Sequence, residues 1–106
     1  MKKGDIVLIS FPFTDISGNK NRPAIILINS DEDITVCFVT TQLKWQSDYD
    51  IIIQPSLSNR LKKTSLIRLN KFATLDKNLV IGLLGELDNN YIEILNRNLI
   101  EILELH

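Results

Sequence analysis

Short runs of aliphatic and β-branched residues, each bounded by turn-forming sequence, constrain the fold of this chain most strongly. Asp5–Ser10, Pro23–Asn29 and Ile34–Val39 are three such runs in the first half of the chain. β-Branched residues are enriched in strands, and the apolar–polar alternation of the third run is typical of a half-buried strand. The turn at Ser30–Asp33 and the longer polar loop from Phe11 to Arg22 separate the runs, so the pattern predicts an antiparallel meander.

The second half of the chain begins with shorter apolar runs. Ile51–Ile53, Ser65–Leu69 and Phe72–Leu75 have the composition of strands, and Leu79–Leu87 fits either a strand or a helix. The intervening segments at Thr41–Asp50 and around Pro55–Lys63 are polar and are predicted to be loops.

The last segment of the chain has the periodicity of a helix. Asp88 or Asn90 can cap its start, and Glu93 is placed to complete a capping box from Asn90. Apolar residues then recur at helical spacing, at Ile92, Leu95, Leu99 and Ile102. Further apolar residues widen this face, which can serve as core or as a dimer contact; they are Ile94, Ile100, Leu103 and Leu105. The sequence therefore predicts a mainly β (α+β) fold, in which a small bent antiparallel sheet packs against a C-terminal helix.

Length and composition exclude several classes of protein. The chain has 106 residues and a mass of 12.1 kDa, and residues 1–106 are expected to form a single domain. No apolar run approaches the length of a membrane-spanning helix, and no signal-peptide apolar core follows the first residues. Cys37 is the only cysteine, so no cysteine–histidine metal set exists. The protein is expected to be cytoplasmic, with no metal and no cofactor.

Charge is distributed unevenly along the chain although its net value is −1. Residues 59–77 carry six basic side chains against Asp76, a net charge of +5, whereas residues 86–106 carry five acidic side chains against Arg97, a net charge of −4. A molecule polarised in this way can bind an anion on one face despite its acidic balance. The same pattern also fits a solvated basic loop beside an acidic helix.

The common catalytic motifs are missing from the sequence. His106 is the only histidine and the last residue, so a Ser-His-Asp or Cys-His arrangement is excluded. No glycine-rich phosphate-binding loop occurs. Cys37 lies in a strand pattern, where a cysteine acts as a small hydrophobic residue.

The remaining candidates are arginine, threonine and an aromatic residue near loops. Pro23 biases the preceding Arg22 toward extended backbone, and a guanidinium there can hold a phosphate or remain a surface cation. Thr40-Thr41-Gln42 ends the third predicted strand with groups that can bind phosphate oxygens or base edges. Trp45 can stack on a nucleobase or cover the edge of the sheet.

Taken together, these segments resemble the MazF/PemK family of toxin endoribonucleases. The resemblance rests on Gly4–Ile9, Phe11–Asp15, Lys20–Ala24, Val39–Gln42, Leu66–Asn70, Ala73–Lys77 and the final Leu87–Leu105 stretch. It spans nearly the whole chain in matching order. Two positions differ from the pattern: Ser17 lies in a loop where some members carry a Glu-Gln pair, and Asn70 replaces an aspartate.

The resemblance implies a curled antiparallel sheet or SH3-like barrel with a C-terminal helix, usually as a homodimer. It also implies metal-independent cleavage of single-stranded RNA and inhibition by a cognate antitoxin. Through the matching motifs, Arg22 and Thr40 are carried over as active-site residues and Arg68 as a catalytic or RNA-contacting residue.

From this resemblance we derive a working set of roles. Arg22 and Thr40 would bind the reacting phosphate, and Asp15 is the nearest carboxylate in the first loop that could act as a base. The expected RNA-binding residues are Lys20, Thr41, Gln42, Lys44, Trp45 and Arg68.

Two other functions are compatible with the same sequence. One is a toxin that binds its target without cleaving it, such as a gyrase inhibitor on the same fold, because fold alone does not fix chemistry. The other is a structural or oligomerising domain. Convergence of Arg22, Thr40 and Arg68 on one open groove favours the nuclease.

Overall fold

Six strands and one α-helix make up the described part of the chain. The computed structural model describes residues 1–12 and 19–106, and the side chains of residues 11, 12, 19 and 20 lie outside the description. The strands are β1 (Asp5–Pro12), β2 (Asn19–Asn29), β3 (Asp33–Thr40), β4 (Ile51–Ile53), β5 (Ser65–Asp76) and β6 (Val80–Glu86). Short 3-10 turns lie at Leu43–Trp45 and Lys77–Leu79, and the helix α1 is Asn89–Ile102.

All six strands belong to one antiparallel sheet in the order β4-β5-β3-β2-β1-β6. The predicted meander is confirmed as β1–β2–β3, and β6 returns to pair with the outer side of β1. Among the described residues β4 and β6 do not pair, so the sheet is open and is not a closed barrel. The prediction of a mainly β fold with a C-terminal helix is confirmed.

The strands are longer than their apolar cores predicted. The segment from Phe11 to Arg22 was expected to be all loop, but β1 and β2 continue into it, with Ser10 opposite Asn21 and Pro12 opposite Asn19. Backbone pairing does not need apolar side chains, so polar residues extend the hairpin. The runs Ser65–Leu69 and Phe72–Leu75 are likewise one strand, β5.

The structure also answers two questions that the sequence left open, namely the conformation of Leu79–Leu87 and the residue that caps the helix. Leu79–Leu87 contains a strand, β6. The helix cap is Asp88, whose Oδ1 accepts the Tyr91 N–H at 3.2 Å. The capping box predicted from Asn90 is wrong, because Asn90 lies inside the first turn of α1.

The helix packs on one side of the sheet. Leu95 is fully buried and belongs to a cluster with Leu87 and sheet residues that include Ile6, Ile25 and Ile67. Of the additional apolar helix residues, Ile94 packs against this core, whereas Ile100, Leu103 and Leu105 are exposed. Burial of such side chains stabilises the fold by about 1.5–3 kcal/mol each.

The other side of the sheet has a second apolar cluster. Its buried members are Val7, Ile9, Ala24, Ile26, Ile34 and Val36. Phe38, Leu75, Leu79 and Val80 partly cover it. Since neighbouring residues of a strand point to opposite faces, this cluster marks the face away from the helix.

The loop between β4 and β5 is held by hydrogen bonds within itself and to the end of β6. Asn59, only 1% exposed, accepts the Ser56 and Leu61 N–H groups through Oδ1 and donates from Nδ2 to the Gln54 carbonyl. The Glu86 N–H donates to the Ser58 carbonyl at 2.9 Å. This close approach fixes the loop against the end of β6.

No helix in residues 1–12 and 19–106 is long and apolar enough to cross a membrane.

Candidate functional site

The strand register brings Arg22 and Thr40 together. Ala24 of β2 lies opposite Phe38 of β3. Continuing this register by two residues sets Arg22 of β2 opposite Thr40, the last residue of β3, on the side of the sheet away from α1. Phe38 also lies opposite Arg68 of β5, which places that arginine on the same side.

An open groove lies over these strand ends. It has a volume of about 380 Å³ and is lined by Arg22, Phe38, Val39, Thr40, Trp45, Arg68, Lys71 and Phe72. We call this part the aromatic lobe, because a phenylalanine, a tryptophan and a second phenylalanine form much of its wall. Rings of this kind beside cations are typical of surfaces that bind unpaired nucleotides.

A smaller cavity of about 320 Å³ adjoins the first. Its lining residues are Asn21, Arg22, Pro23, Val39, Thr40, Thr41 and Ser65. We call it the hydroxyl lobe after its two threonines and its serine. Both lobes share Arg22, Val39 and Thr40, so Arg22 and Thr40 stand at the junction between an aromatic surface and a polar one.

An irregularity in β5 shapes the aromatic lobe. Phe38 lies opposite Arg68, but the preceding residue of β3, Cys37, lies opposite Phe72. The three residues between Arg68 and Phe72 therefore bulge out of the pairing. Bulges redirect side chains and are frequent beside active sites, and this one brings Lys71 and Phe72 into the groove wall.

Arg68 contacts Trp45 within the aromatic lobe. The Arg68 guanidinium carbon lies 5.6 Å from the centre of the indole ring, within the range of a cation–π interaction. Within the described part of the chain, Arg68 Nε is buried without a hydrogen-bond partner. Trp45 itself is 48% exposed, so one part of the ring remains open to a ligand.

The walls of both lobes are electropositive. Arg22, Arg68 and Lys71 line the aromatic lobe, and no carboxylate is among the described residues that line either lobe. Such a concave cationic surface attracts anions and holds phosphate oxygens through charge-assisted hydrogen bonds.

The structure brings together five of the nine predicted site residues. Arg22, Thr40, Thr41, Trp45 and Arg68 line the two lobes.

The other four predicted residues are not among the described residues that line the lobes. Gln42 and Lys44 are exposed in the loop after β3, and the Gln42 N–H donates to Thr40 Oγ1 at 3.1 Å. Lys20 belongs to β2, but its side chain lies outside the description, and Asp15 lies outside the described residues.

Seven lining residues were not among the predicted site residues: Asn21, Pro23, Phe38, Val39, Ser65, Lys71 and Phe72. Asn21 could have been found as the neighbour of Arg22. Lys71 and Phe72 could not have been found, because no local sequence pattern predicts the bulge that places them in the groove wall.

Two residues excluded as nucleophile and base lie away from the groove. Burial raises the pKa of the Cys37 thiol to about 12, so the thiolate is scarce at neutral pH. His106 is exposed and contacts Glu101 at 3.2 Å. Within residues 1–12 and 19–106, no three His, Cys, Asp or Glu side chains are grouped closely enough to hold a metal ion.

A comparison with protein-family models identifies the family. Residues 2–103 match the model of the PemK-like, MazF-like toxins of type II toxin–antitoxin systems. The chain belongs to this family. It is therefore a MazF-like toxin, as the resemblance predicted.

Solved structures with the same fold include mycobacterial toxins. One is described as an endoribonuclease in complex with its cognate antitoxin from a mycobacterial species; it is 21% identical, with a TM-score of 0.78, and the match covers 100% of this chain and 97% of the other. The Mycobacterium tuberculosis toxin MazF-mt6 is 16% identical, with a TM-score of 0.75 and coverage of 94% and 96%. A comparison with curated protein sequences gave no significant match.

Proposed function

We propose that this MazF-like toxin is a metal-independent endoribonuclease that cleaves single-stranded RNA. The observation that carries the proposal is the junction of the two lobes, where Arg22 and Thr40 meet on an electropositive surface. The first solved structure above is itself described as an endoribonuclease, and the family match supports the same activity for this chain.

The scissile phosphate would bind at Arg22 and Thr40. Attack by the neighbouring 2′-OH would form a 2′,3′-cyclic phosphate and break the P–O5′ bond, and the 5′ oxygen would leave as a hydroxyl after taking a proton from water. Negative charge builds up on the phosphate oxygens during this step, and a guanidinium stabilises that charge through two parallel hydrogen bonds. The Thr40 hydroxyl would donate to another of these oxygens. Asp15, the nearest carboxylate in the first loop of the sequence, is the proposed base for the 2′-OH.

The nucleotides beside that phosphate would lie in the two lobes. An unpaired base in the aromatic lobe can stack on Trp45 or Phe72, and Arg68 and Lys71 can hold its backbone phosphate. In the hydroxyl lobe, Thr41 offers hydrogen bonds to sugar or base edges. Lys20, Gln42 and Lys44 are proposed to contact RNA beyond the lobes.

The proposal includes two protein partners and a compartment. A cognate antitoxin is expected to cover the electropositive groove with an acidic segment, as the antitoxin complex of a structural neighbour suggests. Antitoxin that left RNA affinity unchanged would contradict this. A cytoplasmic homodimer is also proposed, and light scattering at twice the chain mass of 12.1 kDa would support the dimer.

Incubation with a long unstructured RNA in the presence of a chelator tests the activity. Wild type is expected to cut at one recurring short sequence. Arg22→Ala should slow cleavage by at least about 100-fold, the usual cost of removing a donor that stabilises transition-state charge. Arg22→Lys keeps the charge but loses the paired geometry and should remain strongly impaired.

The control for this test is Arg97→Ala, which removes an exposed arginine from α1 on the opposite side of the sheet. It should cut RNA at the wild-type rate. Undiminished cleavage by Arg22→Ala would refute the proposed site. If folded wild-type protein cut none of many RNA sequences, the binding toxin would become the better explanation.

A further inference from the structure

Two segments that form the aromatic lobe come from distant parts of the sequence. The loop after β3 carries Trp45, and the bulge of β5 follows directly after Arg68. The 5.6 Å contact between these side chains depends on how the loop and the bulge are placed relative to one another. A bulge removes backbone groups from the sheet ladder, so its N–H groups need other acceptors.

Asp50 supplies acceptors to both segments. Its Oδ1 accepts the Leu69 N–H of the bulge at 2.9 Å, and its Oδ2 accepts the Ser47 N–H of the loop at 2.9 Å. The Asp50 N–H in turn donates to the Ser47 carbonyl at 3.2 Å. The residue is only 8% exposed, so these bonds are largely protected from competing water.

We propose that Asp50 is a positioning residue, which fixes Trp45 and Arg68 as one surface for RNA. Leu69 follows Arg68 directly, and Ser47 is two residues beyond Trp45. One carboxylate therefore holds the backbone beside each partner of the cation–π pair. This inference rests on the proposed ribonuclease function and adds one positioning residue to the same groove.

The two-oxygen chemistry of aspartate suits this role. A carboxylate accepts at both oxygens, whereas an asparagine amide accepts at one and presents a donor at the other position. Asp50→Asn should therefore keep one backbone bond and lose the other, leaving an N–H group without its acceptor. The pair of Trp45 and Arg68 then loses its common anchor.

Arg22 and Thr40 are held by strand pairing instead of this anchor, with Arg22 opposite Ile9 of β1 and Thr40 opposite Leu66 of β5. Loosening the Trp45–Arg68 surface should weaken substrate binding more than it slows the chemical step. For Asp50→Asn we expect KM to rise about tenfold, with kcat within about twofold of wild type, the signature of lost uniform binding.

Trp45 is the only tryptophan of the chain, so its fluorescence reports on the loop directly. Without RNA, Asp50→Asn should shift the emission and increase quenching by acrylamide. A second variant, Ser47→Pro, removes the part-buried N–H that donates to Oδ2, together with the serine hydroxyl. The preceding Gln46 has a ψ of 126°, which suits a following proline, so this variant should fold and give the same direction of change.

Asp88→Ala is the matched control. It removes the cap of α1, a backbone-binding aspartate away from the groove. It should lower thermal stability while leaving the Trp45 signal and KM unchanged. A purely structural role for Asp50 predicts this same behaviour for Asp50→Asn, and that result would overturn the inference.

The fluorescence and cleavage measurements separate the two proposals. If wild type does not cleave RNA, the ribonuclease proposal fails, yet an altered Trp45 signal in both Asp50→Asn and Ser47→Pro still supports the positioning role. If wild type cleaves and both variants match it in Trp45 signal and KM, the positioning role fails alone.

Discussion

Phe72 is an aromatic side chain that the β5 bulge places at the wall of the groove, where it is 40% exposed. Stacking of a base on such a ring contributes about 1–3 kcal/mol to the binding of a single strand. We therefore predict that Phe72→Ala weakens binding of a short single-stranded RNA by about 5- to 150-fold, as measured by fluorescence anisotropy of a labelled oligonucleotide.

The control for Phe72 is Leu83→Ala, which shortens a side chain that is 65% exposed on β6. It should leave RNA affinity unchanged. Equal affinities of wild type and Phe72→Ala would remove Phe72 from the RNA surface.

The raised pKa of Cys37 predicts how the free energy of unfolding depends on pH. The buried thiol has its pKa raised from 9.0 to about 12, so the unfolded chain loses this proton at a lower pH than the folded one. The contribution of the buried thiol to the free energy of unfolding is therefore complete below pH 9, and it is lost as the pH rises from about 9 to about 12. The loss amounts to about 1.4 kcal/mol per pH unit.

Urea unfolding at a series of alkaline pH values measures this effect. The free energy of unfolding should fall more steeply for wild type than for Cys37→Ala, because lysine and tyrosine titrations are common to both proteins. Parallel curves would show that the thiol ionises equally in both states.

Single residues were predictable where a short motif fixes their place. The Arg22-Pro23 junction and the threonines at the end of β3 indicated candidate site residues, and the register brings Arg22 and Thr40 together. Asp50 carried no such signal, because its partners are backbone N–H groups from a loop and a bulge. The three-residue bulge itself has no signature in a single sequence.

At the scale of elements, β6 contains a pair of glycines in contrasting surroundings. A Cβ on Gly85 would lie 2.4 Å from the carbonyl oxygen of Ser58, in the loop between β4 and β5. A Cβ on Gly82 would meet nothing within 4 Å. Gly85→Ala should therefore lower the free energy of unfolding by about 1–3 kcal/mol through overpacking. Gly82→Ala should raise it by about 0.5–1 kcal/mol.

Chemical denaturation of the two variants beside wild type checks this pair. Because the change is the same in both, differences in propensity cancel and the contact with the loop remains. A Gly85→Ala protein as stable as Gly82→Ala would mean that the loop is not held against β6.

The bounds of strands and helix agree with the sequence prediction where the apolar periodicity is clear. They differ from it where backbone pairing continues through polar residues. β3 and α1 match their predicted runs closely. β5 was predicted as two runs because Asn70 and Lys71 interrupt its apolar pattern, yet β3 pairs with both parts. The cap was ambiguous because Asp88 and Asn90 both have capping side chains; in the structure Asp88 accepts the Tyr91 N–H and Asn90 lies inside the first turn.

At the scale of the whole molecule, positive charge lies in the groove although the net charge is −1. If RNA phosphates contact Arg22, Arg68 and Lys71, binding releases counterions from the RNA. A plot of the logarithm of the binding constant against the logarithm of the salt concentration should then have a slope of about −2. Lys71→Met should reduce the magnitude of that slope by about 0.7.

The matched control is Lys3→Met, since Lys3 binds Asn96 of the helix and lies away from the groove. Titration of a labelled single-stranded RNA at several salt concentrations gives all three slopes. A wild-type slope near zero would show that phosphates do not bind at this surface.

The position of α1 on the far side of the sheet has a consequence for the growing chain on the ribosome. Every lining residue of the two lobes has been synthesised once residue 72 is added. Leu87 and Leu95, which complete the core over Ile6 and Ile25, are added later. A nascent or prematurely terminated chain therefore carries all lining residues of the groove but lacks the packing that holds the sheet, so incomplete translation products should be harmless to the cell that makes them.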